Sequence, residues 1–563
     1  MRKKLIIFLF FNFGFLYVYA QSNPFNLLLE KKKLNVEEKE KDNYLYKNYF
    51  YSALKEKSLE NYDQATRFFE KCIKLNKNQP QPYYEISQIY FFQSNFTESL
   101  KYSKNAYLLN KENKWYALFY AENLFTNKKF DESINVYKDL VKQEPENEKY
   151  YIELAICLIY NNELKAAIDT YNSIEELKGI NNFTSVQKHK IFLELKDFKS
   201  AANELERYLQ KNPSDIQTYE MLSDCYILDN NFDKAFEVLK KLTEINPGSG
   251  GAHLTLSDFY LQKNNTQEYQ KELKIAFRSK KLDVQTKIKK IIPLLTEMFE
   301  NDTTSTDFVE DLCEILVEVH PEDEMTNYIY ADLLKTIKNI DKSIVYYKKV
   351  IEINPNQRDA WLDMLFLELQ NKSIDSLILD SEKALDFFPM YPTFYYLHAL
   401  AHFYNKDYLK SIDFIKKGVS FVVDNPTLAS EMYSVLGNAY NEIEEYINSD
   451  NAYEKSLYFL PENVTVLNNY AYYLSLRGEN LDKAKKMSKK TIEMFPTEAN
   501  YLDTYAWILY KLNKYEEAKQ YMLKAIEISE SKTFYIHMSK ILEKLGDIQE
   551  SEKYKLKSEE LED

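Results

Sequence analysis

The stretch DTYAWILYKLNKYEEAKQYMLKAIEIS (Asp503–Ser529) reads as two short helices joined by a tight turn, and it contains no obvious reactive group. Its meaning depends on whether the chain uses it once or many times. The prolines answer that. Pro145, Pro213 and Pro247 are separated by 68 and 34 residues, Pro321, Pro355 and Pro389 by 34 and 34, and Pro461 and Pro496 by 35. A fixed period near 34 marks a repeat array, and the repeat has to be settled before domains are counted.

Other positions keep the same register. Most units carry a small side chain near the middle of the first helix: Ala53, Ser87, Ala121, Ala155, Ser223, Ser257, Ala331, Ala399, Gly437, Ala471 and Ala506. A second small residue follows in the second helix, as at Ala65, Ser99, Ser133, Ala167, Ala201, Ala235, Ser343, Ser411, Ser449, Ala484 and Ala518. Three residues before it usually stands a ring or a leucine, for example Tyr62, Phe96, Phe130, Leu164, Tyr408 and Tyr515. Antiparallel helices approach closely where small side chains face each other, and a large ring is expected to fill the gap beside them. Proline closes each unit because it cannot continue the second helix.

This pattern resembles the tetratricopeptide repeat (TPR) family over about residues 46–563, or some 14–15 helix-turn-helix units. One unit cannot bury its apolar face alone, so neighbours must stack. The resemblance implies an all-α, right-handed α-solenoid in which the first helix of each pair lines a concave face.

The period breaks twice. Pro247 to Pro321 spans 74 residues, where Pro293 interrupts an apolar run and NDTTSTDFVE (Asn301–Glu310) separates two helical patterns. Thr304 with Asp307 fits a capping box there. Pro389 to Pro461 spans 72, with the surplus near Val422–Pro426. The expected organisation is an N-terminal sub-solenoid at 46–283, an irregular helical unit at 284–323 and a C-terminal sub-solenoid at 324–563. The turn NPGSGG upstream of the irregular unit reads as a loose connection or a hinge. The charged segment Ile548–Glu560 reads as a capping helix.

The N-terminus differs from the rest. Arg2, Lys3 and Lys4 precede an almost wholly apolar run, Leu5–Tyr19, and Val18-Tyr19-Ala20 places small residues before Gln21. That is the layout of a secretory signal peptide at 1–20, and the run is short for a membrane span of ~20 residues. An uncleaved anchor is the alternative. Cleavage takes the formal net charge from −14 to −17 by removing three cations. Residues 21–45 read as a polar, flexible leader. The acidic balance argues against a general nucleic-acid binder.

Catalytic patterns are missing: the sequence has no GxxxxGK[ST], no GxSxG and no GxGxxG after a strand. Cys72, Cys157, Cys225 and Cys313 are far apart, form no CxxC, and fall at interior helix positions as buried small hydrophobes. His398 and His402 share a helix face, and Glu368 holds the equivalent of His402 one unit earlier. Two imidazoles and a carboxylate are a conceivable zinc set, but the positions match core leucine or tyrosine elsewhere and are read as packing. No cofactor is implied.

The register places Tyr84, Gln88, Phe91, Phe92, Trp115, Glu122 and Phe125 on the inner face, followed by Glu220, Asp224 and Asp258. Asp332, Tyr396, Tyr404, Asn438, Asn468 and Trp507 continue it. TPR domains that grip a C-terminal carboxylate use lysine, arginine and asparagine at set inner positions. Here only asparagines such as Asn438 and Asn469 match. An aromatic, acidic groove instead suits a peptide with apolar and basic side chains. The C-terminal pair, Asn468–Lys486 and Tyr501–Glu527, resembles units ending large bacterial TPR proteins, some of them exported adaptors. The expected function is a non-catalytic scaffold or adaptor in a bacterial envelope, binding protein or peptide partners in the superhelical groove and no nucleic acid. A membrane-anchored assembly factor and a metal-dependent enzyme are the alternatives.

Overall fold

The computed structural model describes residues 38–301 and 305–561, and among these it holds thirty α-helices and no strand. The residues of the signal peptide, and Thr304 of the capping box, lie outside the described residues. The chain divides into two compact units between Pro247 and Gly248, inside the NPGSGG turn.

The N-terminal unit comprises α1 (Glu38–Ser58), α2 (Tyr62–Leu75), α3 (Pro80–Phe92), α4 (Phe96–Leu109), α5 (Lys114–Thr126) and α6 (Phe130–Gln143). It continues with α7 (Glu148–Tyr160), α8 (Leu164–Lys178), α9 (Asn182–Glu194), α10 (Phe198–Leu209), α11 (Ile216–Leu228) and α12 (Phe232–Ile245). Helix α1 begins at Glu38, so residues 38–45 are helical although the sequence reads them as leader.

The C-terminal unit opens with α13 (Gly250–Gln262), α14 (Thr266–Arg278), α15 (Val284–Asn301), α16 (Thr306–Val319), α17 (Glu324–Thr336) and α18 (Ile340–Ile353). Then come α19 (Arg358–Gln370), α20 (Ile374–Phe387), α21 (Pro392–Tyr404), α22 (Tyr408–Val419), α23 (Pro426–Glu442) and α24 (Tyr446–Phe459). The last six are α25 (Val464–Arg477), α26 (Leu481–Met494), α27 (Ala499–Lys511), α28 (Tyr515–Ile528), α29 (Lys532–Leu545) and α30 (Ile548–Glu560). In both units odd and even helices form antiparallel pairs, and each second helix packs against the first helix of the next pair almost throughout.

The turn inside a pair is built the same way almost every time. One residue adopts a left-handed conformation, as at Ser94, Lys128, Asn162, Lys196 and Asn230. The next N–H then reaches back five residues, Asn95 N to Tyr90 O at 2.8 Å and Lys129 N to Leu124 O at 2.8 Å. This is the Schellman arrangement, which satisfies carbonyls the helix end leaves open. Between pairs, Pro145, Pro213, Pro321, Pro355, Pro389, Pro461 and Pro496 all fall in the connecting turns.

The small positions of the register are all buried, and the contact they make is more specific than close approach. The hydroxyl of a serine in the second helix donates to the backbone carbonyl of the small residue twelve positions earlier. Ser99 Oγ reaches Ser87 O at 2.7 Å, Ser133 reaches Ala121 at 2.9 Å, Ser343 reaches Ala331 at 2.7 Å and Ser449 reaches Gly437 at 2.8 Å. At Gly437 the approach is tighter still, because a Cβ there would lie 2.9 Å from the Tyr453 ring. The rings expected beside these positions sit elsewhere. Tyr62, Phe96, Phe130 and Tyr408 are only partly covered and meet other rings at the turns, Phe91 edge-on to Phe96 and Phe125 edge-on to Phe130 at 5.4 Å each. The second helix starts there, so its first side chain points over the turn rather than into the core.

Two irregularities have physical causes. Helix α15 runs through Pro293 without stopping and reaches 18 residues, and α14 packs directly against α16. The four-residue surplus before Pro461 appears as an extra turn at the start of α23, which has 17 residues. The four cysteines are buried and free.

Candidate functional site

The first helices form one layer of each unit, and the side chains crossing between them define its face. In the N-terminal unit, Lys57 on α1 donates to Glu85 at 2.6 Å and Gln88 at 2.7 Å on α3. Tyr84 packs on Tyr116 and Phe119 of α5 at 5.0 and 5.5 Å, and Phe91 meets Phe119 at 5.4 Å. Phe125 on α5 meets Tyr160 of α7 at 5.0 Å. Phe92 is 71% exposed and leans on Tyr62 at the turn end of the layer. These rings are therefore largely committed to one another, and Phe92 lies at the edge.

Trp115 is different. It sits at the start of α5, whose cap is Asn113, with Asn113 Oδ1 accepting from the Trp115 N–H at 2.9 Å. Its residue surface is 62% exposed. Two helical turns on, Glu122 shares that side of α5 and is also exposed. Both Glu122 and Glu153 of α7 reach water, yet protein crowds them. Lost hydration raises both carboxyls above their ordinary value, and the Glu153 charge raises Glu122 further. Asp224 on α11 is exposed but likewise raised by partial loss of hydration, an effect partly offset by His189. Glu122, Glu153, Glu220 and Asp224 form no ion pair among the described residues.

The register positions of the C-terminal unit look similar in sequence but are neutralised. Asp258 is paired with Lys290. Asp332 takes Lys335 at 2.6 Å and the Tyr347 hydroxyl at 3.2 Å. Asn438 accepts from the Tyr453 hydroxyl. Tyr396 and Asn468 are half-buried, and Tyr404 is exposed at the turn end beside Phe403. Trp507, read from sequence as groove lining, is 5% exposed. His537 stacks on it at 4.0 Å, Tyr510 at 4.7 Å, and the ammoniums of Lys511 and Lys540 cover it at 5.4 Å each. It offers a partner little surface.

Both histidines of the pair have partners in the fold. His398 Nδ1 pairs with the Ser381 hydroxyl at 2.7 Å, and burial pushes its pKa down to about 4. His402 Nδ1 faces Asp407 at 3.3 Å. Glu368 lies against Lys348 at 3.1 Å, and burial raises its carboxyl. Among the described residues no group of three His, Cys, Asp or Glu side chains is placed to hold a metal.

Models of the tetratricopeptide repeat match residues 53–79, 121–179, 190–250, 326–357 and 499–532. The chain is a tetratricopeptide repeat protein. No curated protein matches it. Among solved structures, that of Naa15/Naa10 bound to HypK-THB aligns at 13% identity over 92% of this chain and 93% of that one, TM-score 0.36. The Cut9–Hcn1 hetero-tetramer of the APC/C aligns at 12% identity over 92% and 98%, TM-score 0.36. A TPR protein from Parabacteroides merdae aligns at 14% over 42% and 92%, TM-score 0.36. A TPR array is a protein–protein interaction scaffold, since its stacked first helices present a continuous surface rather than a pocket.

Sequence reasoning missed Glu153 and the Lys57–Glu85–Gln88 bridge. The signal was present: Lys57 and Gln88 are 31 residues apart, and so are Glu122 and Glu153. A spacing three short of the period brings first-helix side chains of neighbouring units together.

Proposed function

We propose that the first-helix face of the N-terminal TPR unit binds a partner segment carrying apolar and cationic side chains, and that the chain works as a non-catalytic adaptor exported to the cell envelope. The observation that carries the binding reading is a first-helix face with an exposed tryptophan, Glu122 on the same side of its helix, and Glu153, Glu220 and Asp224 further along, none of the four carboxylates ion-paired among the described residues. Ionised groups crowded by protein are costly unless something compensates them. A cationic partner would, while Trp115 supplied apolar area. Export rests on the basic start, the apolar run and the Val18-Tyr19-Ala20 layout. No helix among the described residues is long and apolar enough to cross a membrane.

The test uses a fluorescein-labelled amphipathic peptide of lysine and leucine, about 20 residues long, in stopped-flow and equilibrium titrations. Asp224→Lys should slow association, with an effect that fades as salt rises. Equal association rates for both proteins at low salt would remove the acidic face from the mechanism. Export is read separately, from the intact mass of protein purified from its native cells. Retention of residues 5–19 would favour the anchored alternative.

A further inference from the structure

One segment of the C-terminal unit carries charge of the opposite sign to the chain as a whole. Residues 263–290 hold eight lysines and one arginine against three carboxylates, in a chain of formal net charge −14. Those three carboxylates are already engaged. Glu268 pairs with Lys271 at 2.9 Å and Glu272 with His253 at 2.5 Å, while Asp283 caps its own helix by accepting from Gln285 N at 2.8 Å. From outside the segment, Asp311 takes Lys274 at 2.5 Å and Asp258 takes Lys290. Arg278, Lys280, Lys281 and Lys289 stay exposed, and none of them forms an ion pair among the described residues.

The turn that holds three of these cations is fixed in place. Ser279 Oγ donates to Gly248 O at 3.1 Å, and Ser279 O accepts from Lys287 Nζ at 2.8 Å. Lys287 is fully buried beneath the turn, and its second partner is His320 Nε2 at 2.8 Å. No carboxylate pairs with that ammonium, and burial brings its pKa down to about 8. Beside the turn, the outward side of α14 has a shallow depression of about 340 Å³ lined by Gln267, Gln270, Lys271, Lys274, Ile275 and Arg278. A hydrogen-bonded turn bearing cations, next to a shallow depression in which Ile275 is the one apolar lining residue among amides and cationic side chains, is a recognition surface with less ordering left to do on binding.

We infer that the α14–α15 turn of the C-terminal unit docks an acidic segment of a partner protein, with carboxylates on Arg278, Lys280 and Lys281 and an apolar side chain against Ile275. Charge complementarity selects the occupant. The strong negative charge on the rest of the unit repels long polyanions and anionic membranes, whereas a short acidic segment meets only the basic turn. This surface is distinct from the N-terminal face, both in unit and in sign.

The test titrates a labelled glutamate–leucine peptide of about 20 residues into the full chain at roughly 50 mM salt. The combined variant Arg278→Glu, Lys280→Glu, Lys281→Glu should weaken binding at least tenfold, and the matching glutamine variant should weaken it less. Lys553→Glu with Lys555→Glu, on α30, should leave it unchanged. Circular dichroism melts confirm that each variant is folded. The inference is overturned if the peptide does not bind, if the reversal variant binds as wild type does, or if single-stranded DNA or anionic vesicles bind more tightly than the peptide.

Discussion

Replacing Trp115 by alanine removes the largest accessible ring on the N-terminal face. An aromatic side chain of this size buries up to about 250 Å², and 62% of Trp115 is exposed before any partner arrives. About 150 Å² is therefore available, which at roughly 25 cal/mol/Å² corresponds to about 4 kcal/mol if wholly covered. Immobilising the ring costs about 0.5–1.5 kcal/mol, and coverage is rarely complete. The expected loss is about 1–3 kcal/mol, or roughly 5- to 150-fold in Kd. It should appear mainly as faster dissociation, because short-range packing acts after the encounter. Stopped-flow dissociation of the lysine–leucine peptide measures it directly. The folded core should not notice, since the Asn113 cap bonds the backbone N–H of residue 115 and not its ring. Unchanged dissociation from a folded Trp115→Ala protein would mean that the N-terminal face is not the binding surface.

Other outcomes follow from the same coordinates. Glu122 holds its proton more tightly folded than unfolded, so its ionisation costs stability as pH rises above 4.5. Glu122→Gln should therefore raise the melting temperature at neutral pH while weakening the lysine–leucine peptide, and calorimetry just above that pH should find protons released on binding. Lys188 is fully buried and touches Glu204 at 2.7 Å, Glu175 at 2.8 Å and Asn172 at 3.0 Å. Lys188→Met strands two carboxylates, and chemical denaturation should show a loss of about 3–5 kcal/mol, toward the lower end because Arg207 lies 2.9 Å from Glu204; a loss below about 1 kcal/mol would mean the cluster is not a unit. Gly437→Ala forces a methyl against the Tyr453 ring, 2.9 Å away, and should cost about 1–3 kcal/mol by the same assay; a neutral result would show that the ring can retreat.

The array was legible because its information is spread over many copies. Proline spacing and small-residue register predicted helix pairs outside residues 284–323, and the helices obey them there, while within that segment α14 packs on α16. What the register could not convey was which inner side chains are already satisfied. Asp258 and Glu122 occupy equivalent positions, yet Lys290 neutralises the first while another carboxylate, Glu153, faces the second. That difference depends on a residue about one repeat away, on a neighbouring helix. Trp507 failed for the same reason: the Lys540 and His537 that cover it belong to the next pair. Pro293 interrupts the apolar run in sequence, but a proline inside a long helix costs one backbone bond, and the packed residues Ile288, Ile291, Leu295 and Met298 hold α15 together across it.

The contrast between the units is itself an argument about function. Neutralising an inner carboxylate needs only a lysine about one repeat further on, and the C-terminal unit finds one for Asp258, while Asp332 takes Lys335 from its own helix. Lysine is abundant in this chain, so composition is no obstacle to the same solution in the N-terminal unit. Instead Glu122, Glu153 and Asp224 stay without such partners in surroundings that disfavour their charge. Groups that lower stability without structural compensation concentrate where a ligand completes them. Carboxylates held in this way are what a cationic partner would relieve, which is the property the proposed binding surface needs and a packing surface does not.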